Sequence, residues 1–206
     1  MKKEIQPQES SRAEAFSMWM SSPMPMVTLV KTLDISRLVK ISKKRQMSFN
    51  MLLCWCIGKA ASQIDEFYLW LDKGKLYRFD KLAINVIVDN CKGGINSCDI
   101  PFSDNLQQFN CDYKTLTAQA AKECKSSMLD DSSIIGTSAV IQTELDCIVN
   151  QYTDKFSNPF LIWGRYRKKW LRYELPISVQ FHHVLMDGGH AARFLDILQK
   201  EILFLC

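Results

Sequence analysis

The alternation of apolar and polar positions divides the chain into helices and strands that do not follow a strict βαβ order. Residues 11–20 predict a short helix, and residues 26–33, rich in β-branched and apolar side chains, predict a strand. Asp34 then reads as the N-cap of a helix over residues 35–45, where Ile35, Leu38, Val39 and Ile41 fall near helical spacing. Ser48 predicts the cap of a second amphipathic helix that carries Leu52, Leu53, Cys56 and Ile57 and runs to about residue 64. Apolar segments at 67–71 and 76–79 around Asp72-Lys73-Gly74-Lys75 predict a β-hairpin, and the run 82–88 is strongly β-prone.

Beyond that run the polar stretch 105–124 carries Leu106, Phe109, Tyr113, Leu116 and Ala120 as one stripe, which predicts a helix covering one face of a sheet. Strands are predicted at 134–141, 145–149, 160–166 and 177–181. A closing helix over 191–205 shows Ala192, Leu195, Leu198, Ile202 and Leu205 as its apolar stripe. Mixed strands and helices in this order predict an α+β fold, a mixed α/β two-layer sandwich. No repeat, low-complexity segment or linker divides the chain, so residues 1–206 are expected to form a single domain.

Composition agrees: 206 residues with 47% hydrophobic and 23% charged positions suffice for one buried core. The formal charge is +4, and its only local concentrations are Lys43-Lys44-Arg45 and the group Arg165, Arg167, Lys168 and Lys169. Both read as solvated faces, with a local anchor for an anionic ligand such as a nucleotide phosphate as the alternative. They are too small to argue for nucleic acid. No stretch approaches the roughly 18 apolar residues of a membrane span, and no apolar run follows the opening MKKEIQPQES, so no membrane partner and a cytoplasmic location are expected. The eight cysteines contain no CxxC pair and fall mostly in apolar segments, which predicts buried, reduced thiols.

Chemistry concentrates in one place. All three histidines lie in the window His182-His183-Val184-Leu185-Met186-Asp187-Gly188-Gly189-His190, between an apolar strand and the last helix. Strand-to-helix turns commonly expose functional side chains, and Gly188 and Gly189 permit tight backbone geometry. Adjacent strand residues point to opposite faces, so one of His182 and His183 is expected to be chemical and the other structural. Packed core histidines and a metal site built from His183, Asp187 and His190 compete with general-base catalysis. The metal reading lacks a fourth ligand and a recognised spacing, whereas a histidine suits proton transfer because its ordinary pKa of about 6.5 lies near working pH.

The HHxxxDG pattern after an apolar strand resembles the signature of chloramphenicol acetyltransferases, shared with the catalytic cores of dihydrolipoyl acyltransferases. Arg12 with Phe16, Leu33-Asp34-Ile35, Asp65-Glu66-Phe67, Gly74 with Asp80, and Leu175-Pro176-Ile177-Ser178-Val179-Gln180 extend the resemblance along essentially the whole chain. It implies a mixed β-sheet flanked by helices, a homotrimer with active sites between subunits, and acetyl-CoA as co-substrate without a metal. His183 matches the general base that takes a proton from an acceptor hydroxyl as it attacks the thioester. Asp187 matches the second element of the motif, and Arg12 its arginine partner; the pair reads as support that orients His183.

Other positions depart from the family's pattern. Its oxyanion-stabilising serine falls at Gly136, its Pro-Trp pair at Ala139-Val140, and a supporting threonine at Ile162. Thr137 or Ser138 could replace the serine only through a shift of register. Met18 and Trp19 stand where the family tends to have an aromatic pair in the acceptor pocket, so Met18, Trp19, Gly136 and Ile162 are expected to border the substrate. The implied function is acetyl transfer to chloramphenicol or a similar small alcohol, an antibiotic-resistance activity. Alternatives are a same-fold acyltransferase with another acceptor, and a silent ligand-binding relative.

Overall fold

The computed structural model describes residues 2–150, 152–153 and 155–205. Ten strands and five α-helices are found among them: β1 (Lys3–Ile5), α1 (Ala13–Trp19), β2 (Met26–Asp34), α2 (Ser36–Arg45), α3 (Phe49–Ala61), β3 (Leu69–Asp72), β4 (Lys75–Arg78), β5 (Leu82–Asp89), β6 (Ile95–Pro101), α4 (Leu106–Glu123), β7 (Ser133–Val140), β8 (Phe160–Gly164), β9 (Arg167–Lys169), β10 (Arg172–His182) and α5 (Gly188–Phe204). The main sheet has the order β2-β10-β8-β7-β5-β6, with β9 on β10, and a small sheet has the order β1-β4-β3. β5–β7 and β7–β8 pair in parallel, while β10 is antiparallel to both β2 and β8, so the sheet is mixed. The expected α+β class is found.

Strand β10 organises the layer beneath the helices. Its alternate residues Ile177, Val179 and Phe181 are fully buried and join the core, as the period of two requires. Helix α3 is apolar nearly all round, with ten of its thirteen residues buried, which is the pattern of a helix enclosed by its neighbours. Ser48 caps it as expected, its hydroxyl accepting the Met51 N–H at 3.4 Å. In α5 the buried stripe is Ala191, Phe194, Leu195, Leu198 and Ile202; Ala192, assigned to the stripe by spacing, faces outward.

Several expectations need correction. Asp34 ends β2 and the N-cap position is Ile35, although the Asp34 carboxylate does accept the Ser36 N–H at 3.0 Å. The second helix stops at Ala61, and Asp65–Tyr68 is a 3-10 turn, so the hairpin begins at Leu69. Residues 145–149 form no strand. Ile148 instead donates its N–H to the Ser178 hydroxyl at 3.0 Å, so this segment lies across the sheet face and does not join its edge. β1, β6 and β9 escaped the pattern reading because they are short or polar. β6, for example, spends Ser97 and Asp99 on hydrogen bonds from Asn85 at 2.5 and 2.6 Å. Finally, Cys54, Cys56 and Cys98 are buried, but Cys91, Cys111 and Cys147 are exposed; Cys206 lies outside the described residues. Among the described residues no helix is long and apolar enough to cross a membrane.

Candidate functional site

The histidine window sits where β10 ends and α5 begins. The last strand residue, His182, is buried, and its Nδ1 accepts the Val184 N–H at 3.2 Å. Its carbonyl receives the N–H groups of Leu185 and Met186 at 2.9 and 3.1 Å, which closes the turn. Burial, with a smaller contribution from neighbouring His183, pulls the His182 pKa down to about 4, so this ring is neutral. This ring is committed to the turn by burial and by its bond to Val184.

His183 is treated differently. Its N–H donates to the Pro25 carbonyl at 2.7 Å, anchoring it to the segment before β2. The ring is half-buried and stacks on Trp19 of α1, with centroids 4.5 Å apart and planes 14° apart. Its Nδ1 is buried without a hydrogen-bond partner among the described residues.

Arg12 binds the whole turn together. Only 4% exposed, it donates from Nη2 to the His183 carbonyl at 2.8 Å, from Nε to the Val184 carbonyl at 3.1 Å, and from Nη1 to Asp187 Oδ2 at 3.0 Å. A buried guanidinium is tolerable only when its donors find acceptors in this way. The other oxygen of Asp187 caps α5, accepting the N–H groups of Gly189 and His190 at 2.9 and 3.2 Å. Partial burial raises the Asp187 pKa, but the His190 backbone N–H and Arg12 outweigh it and hold the carboxyl below its ordinary value. His190 completes a capping box: its Nδ1 accepts the Asp187 N–H at 3.3 Å, and its Nε2 lies 3.2 Å from Glu66 Oε1. The third histidine is thereby committed to the helix start. No group of three or more His, Cys, Asp or Glu side chains among the described residues is placed to hold a metal ion.

The remaining sequence-assigned positions divide between two faces of β7. Thr137 is buried toward α3, donating its hydroxyl to the Asn85 carbonyl at 2.7 Å, with Cys54 Sγ at 3.9 Å. Gly136 and Ser138 lie on the opposite face, Gly136 in register with Phe160 and Ser138 with Ile162, which in turn pairs with Ser178. A Cβ on Gly136 would meet Phe160 Cδ2 at 2.3 Å and Asn158 Nδ2 at 3.2 Å. The Phe160 ring thus fills the space that a side chain at 136 would need. Met18 is 60% exposed on α1, next to the stacked Trp19.

The structure therefore gathers Arg12, Trp19, His183 and Asp187 at one end of β10, and Gly136, Ser138 and Ile162 in a separate row on β7 and β8. Pro25, Glu66 and Phe160 have roles that residue types alone did not reveal. Only Glu66 left a signal, as part of the quoted Asp65-Glu66-Phe67. A cleft of about 500 Å³ lined by residues including Arg45, Trp55, Lys59 and Glu201 lies at the far end of α5 and shares no residue with the histidine turn.

Comparison with known proteins gives a consistent picture. The family model described as chloramphenicol acetyltransferase matches residues 3–199. Chloramphenicol acetyltransferase 3 of Escherichia coli is 25% identical over 179 residues, covering 84% of each chain. Among solved structures, a chloramphenicol acetyltransferase superposes with a TM-score of 0.85 at 18% identity, covering 97% of this chain and 99% of that one. The Azotobacter vinelandii dihydrolipoamide acetyltransferase reaches 0.72 at 18% identity, covering 96% and 87%. At these identities the two structural likenesses show the fold alone.

Proposed function

The chain belongs to the chloramphenicol acetyltransferase family and is an acyltransferase of that type, and from this premise we propose that it transfers acetyl from acetyl-CoA to a hydroxyl of chloramphenicol or a similar small alcohol, with His183 as general base. One observation carries the reading: a single buried guanidinium, Arg12, fixes the His183 carbonyl, the Val184 carbonyl and the Asp187 carboxylate at once. That network holds the imidazole by its backbone while Trp19 stacks on its ring. With Nδ1 buried, Nε2 is the nitrogen that takes the acceptor proton. The freed oxygen attacks the thioester carbonyl directly, and the protonated ring then returns the proton to the departing coenzyme A thiolate. Arg12 and Asp187 are positioning residues.

The site is proposed to be completed in a homotrimer. Gln180, Phe160 and Gly136 are consecutive partners across β10, β8 and β7. From them His183 stands about 10 Å across the strands and about 10 Å along β10 from Gly136, by ordinary sheet spacing. Reacting groups must come within about 3–3.5 Å, so one chain's Gly136 row serves the His183 of a neighbouring copy.

A second reading, another acceptor on the same machinery, is favoured by the Gly136–Phe160 contact and by Ile162, which make the row apolar where the family's pattern has hydroxyls. A panel of small alcohols that includes chloramphenicol, incubated with acetyl-CoA and read by mass spectrometry for acetylated product, separates the two. Acetylated chloramphenicol as the main product supports the first reading and an antibiotic-resistance role, and a different alcohol acetylated in its place supports the second. Absence of any acetylated product from folded protein overturns both. Sedimentation of the same sample tests the trimer.

A further inference from the structure

Away from the histidine turn, two cysteines 33 positions apart in sequence meet at the surface. Cys91 lies in the turn between β5 and β6, Cys124 is the C-cap of α4, and their Sγ atoms are 3.2 Å apart. The contact is built into the backbone. The Cys91 N–H donates to the Ala121 carbonyl at 3.1 Å, docking the turn on the last turn of α4, and Cys91 Sγ also reaches the Lys122 carbonyl at 3.5 Å. Cys124 itself is left-handed, with φ 52° and ψ 39°, where glycine or asparagine is the usual occupant. A cysteine there, aimed at another cysteine, is not explained by capping.

We propose that Cys91 and Cys124 form a surface site for thiol–disulfide exchange, whose substrates are small-molecule disulfides such as glutathione disulfide and whose product is an intrachain disulfide. One protein thiolate attacks a sulfur of the small disulfide, forming a mixed disulfide and releasing one small thiol. The second protein thiolate then attacks the protein sulfur of that mixed bond and releases the other small thiol. The two protein thiols lose two electrons and two protons, and one small disulfide becomes two thiols. A disulfide needs about 2.05 Å between sulfurs, so the pair has about 1.1 Å to close.

Proximity together with exposure selects this pair. Cys91 is exposed and Cys124 half-buried, so a small disulfide can reach them. Cys54 and Cys98 are enclosed, and burial pushes their thiols up to about 12 and about 11, which keeps them protonated and inert. Sharing a proton with Cys124 raises the Cys91 pKa, so exchange quickens as pH rises.

The product would fasten the cover of a sheet edge. Immediately after Cys124 the chain runs along β6, where the Ser127 N–H donates to the Ser97 carbonyl and its carbonyl accepts the Asp99 N–H, both at 2.9 Å. Cross-linking 91 to 124 closes the loop that contains β6 and α4, and so holds this edge protection in place.

The test is to incubate the full chain with glutathione disulfide, alkylate the free thiols and map the peptides. The expected result is a 91–124 linkage, loss of two alkylatable thiols, and a rise in Tm of about 5–10 °C that dithiothreitol reverses. Cys91→Ser and Cys124→Ser should each abolish the linkage and the Tm rise while leaving acetyl transfer unchanged. Complete alkylation of both cysteines after treatment, a stable mixed disulfide that never resolves, or linkage of either cysteine to Cys111 or Cys147 would overturn the proposal. The peptide map of the unmodified chain decides even if a variant fails to fold, and it does not depend on the acetyl-transfer reading.

Discussion

At the C-terminal end of β10, polar groups are tied to one another. Arg12 serves two carbonyls and a carboxylate, Asp187 serves Arg12 and two helix N–H groups, and His190 accepts the Asp187 N–H with Glu66 3.2 Å from its other nitrogen. Two strands away, around Gly136, the Phe160 ring occupies the space above the glycine, and Ile162 stands between Ser138 and Ser178. In the proposed mechanism the first region moves the proton and the second faces the developing oxyanion. The difference teaches that the two halves need not change together: the proposed base keeps its whole hydrogen-bonded support, while the opposite wall has Gly136, covered by Phe160, and Ile162 at the two positions where the family's pattern has hydroxyls. Losing one oxyanion donor typically costs about 10²–10³ in rate, so this wall is where the chain's activity or choice of acceptor would diverge.

The largest effect is expected from cutting the first region at its centre. Arg12→Ala leaves two carbonyls and the Asp187 carboxylate without their donor, and should lower stability by about 3 kcal/mol, read as a shifted denaturation midpoint. Acetyl transfer should fall further than stability explains, because the His183 backbone loses its clamp. An Arg12→Ala protein with unchanged midpoint and rate would show that the network is ornamental.

A smaller effect is expected at the apolar wall. Gly136→Ser drives a side chain into the Phe160 ring and should cost about 1–3 kcal/mol. Adding Phe160→Val should recover most of that loss and raise turnover above that of the unmodified chain. If the single substitution is neutral, the ring does not hold this space, and the contrast between the regions loses its physical basis.

A third effect is confined to acid pH. His182 titrates at about 4 in the fold against 6.5 as a free side chain. The folded state therefore binds fewer protons than the unfolded state between those values. Its contribution to stability is fully present above about 6.5 and is lost as pH falls toward 4. His182→Asn, which keeps an acceptor for the Val184 N–H, should flatten the stability profile across that window, with little change above it. An unaltered slope in chemical denaturation at pH 5 would remove His182 as its source.

These two regions were also unequally legible in the sequence. The histidine turn is written in nine consecutive residues, and its distant partner Arg12 was assigned through resemblance before the structure placed it on Asp187 at 3.0 Å. The wall depends on strand register. Residue types showed that Gly136 lacks a hydroxyl, but not that Phe160 closes over it, because a cross-strand contact leaves no periodic trace. Secondary structure divided in the same way. Strongly apolar elements such as α3 and β10 announced themselves, whereas β6, which buries Cys98 on one face and Asp99 on the other, shows no apolar alternation. The apolar run at 145–149 reads as a strand, yet the Ile148 N–H goes to a side chain on the sheet face.

The account stands most directly on one measurement, the acceptor-dependent release of coenzyme A thiol from acetyl-CoA by the unmodified chain and by His183→Ala. The prediction is thiol release with an alcohol acceptor that drops by about 10²–10⁴-fold in the variant while its fold and assembly are unchanged. Equal rates in the two proteins would contradict the role given to His183 and, with it, the reading of the turn.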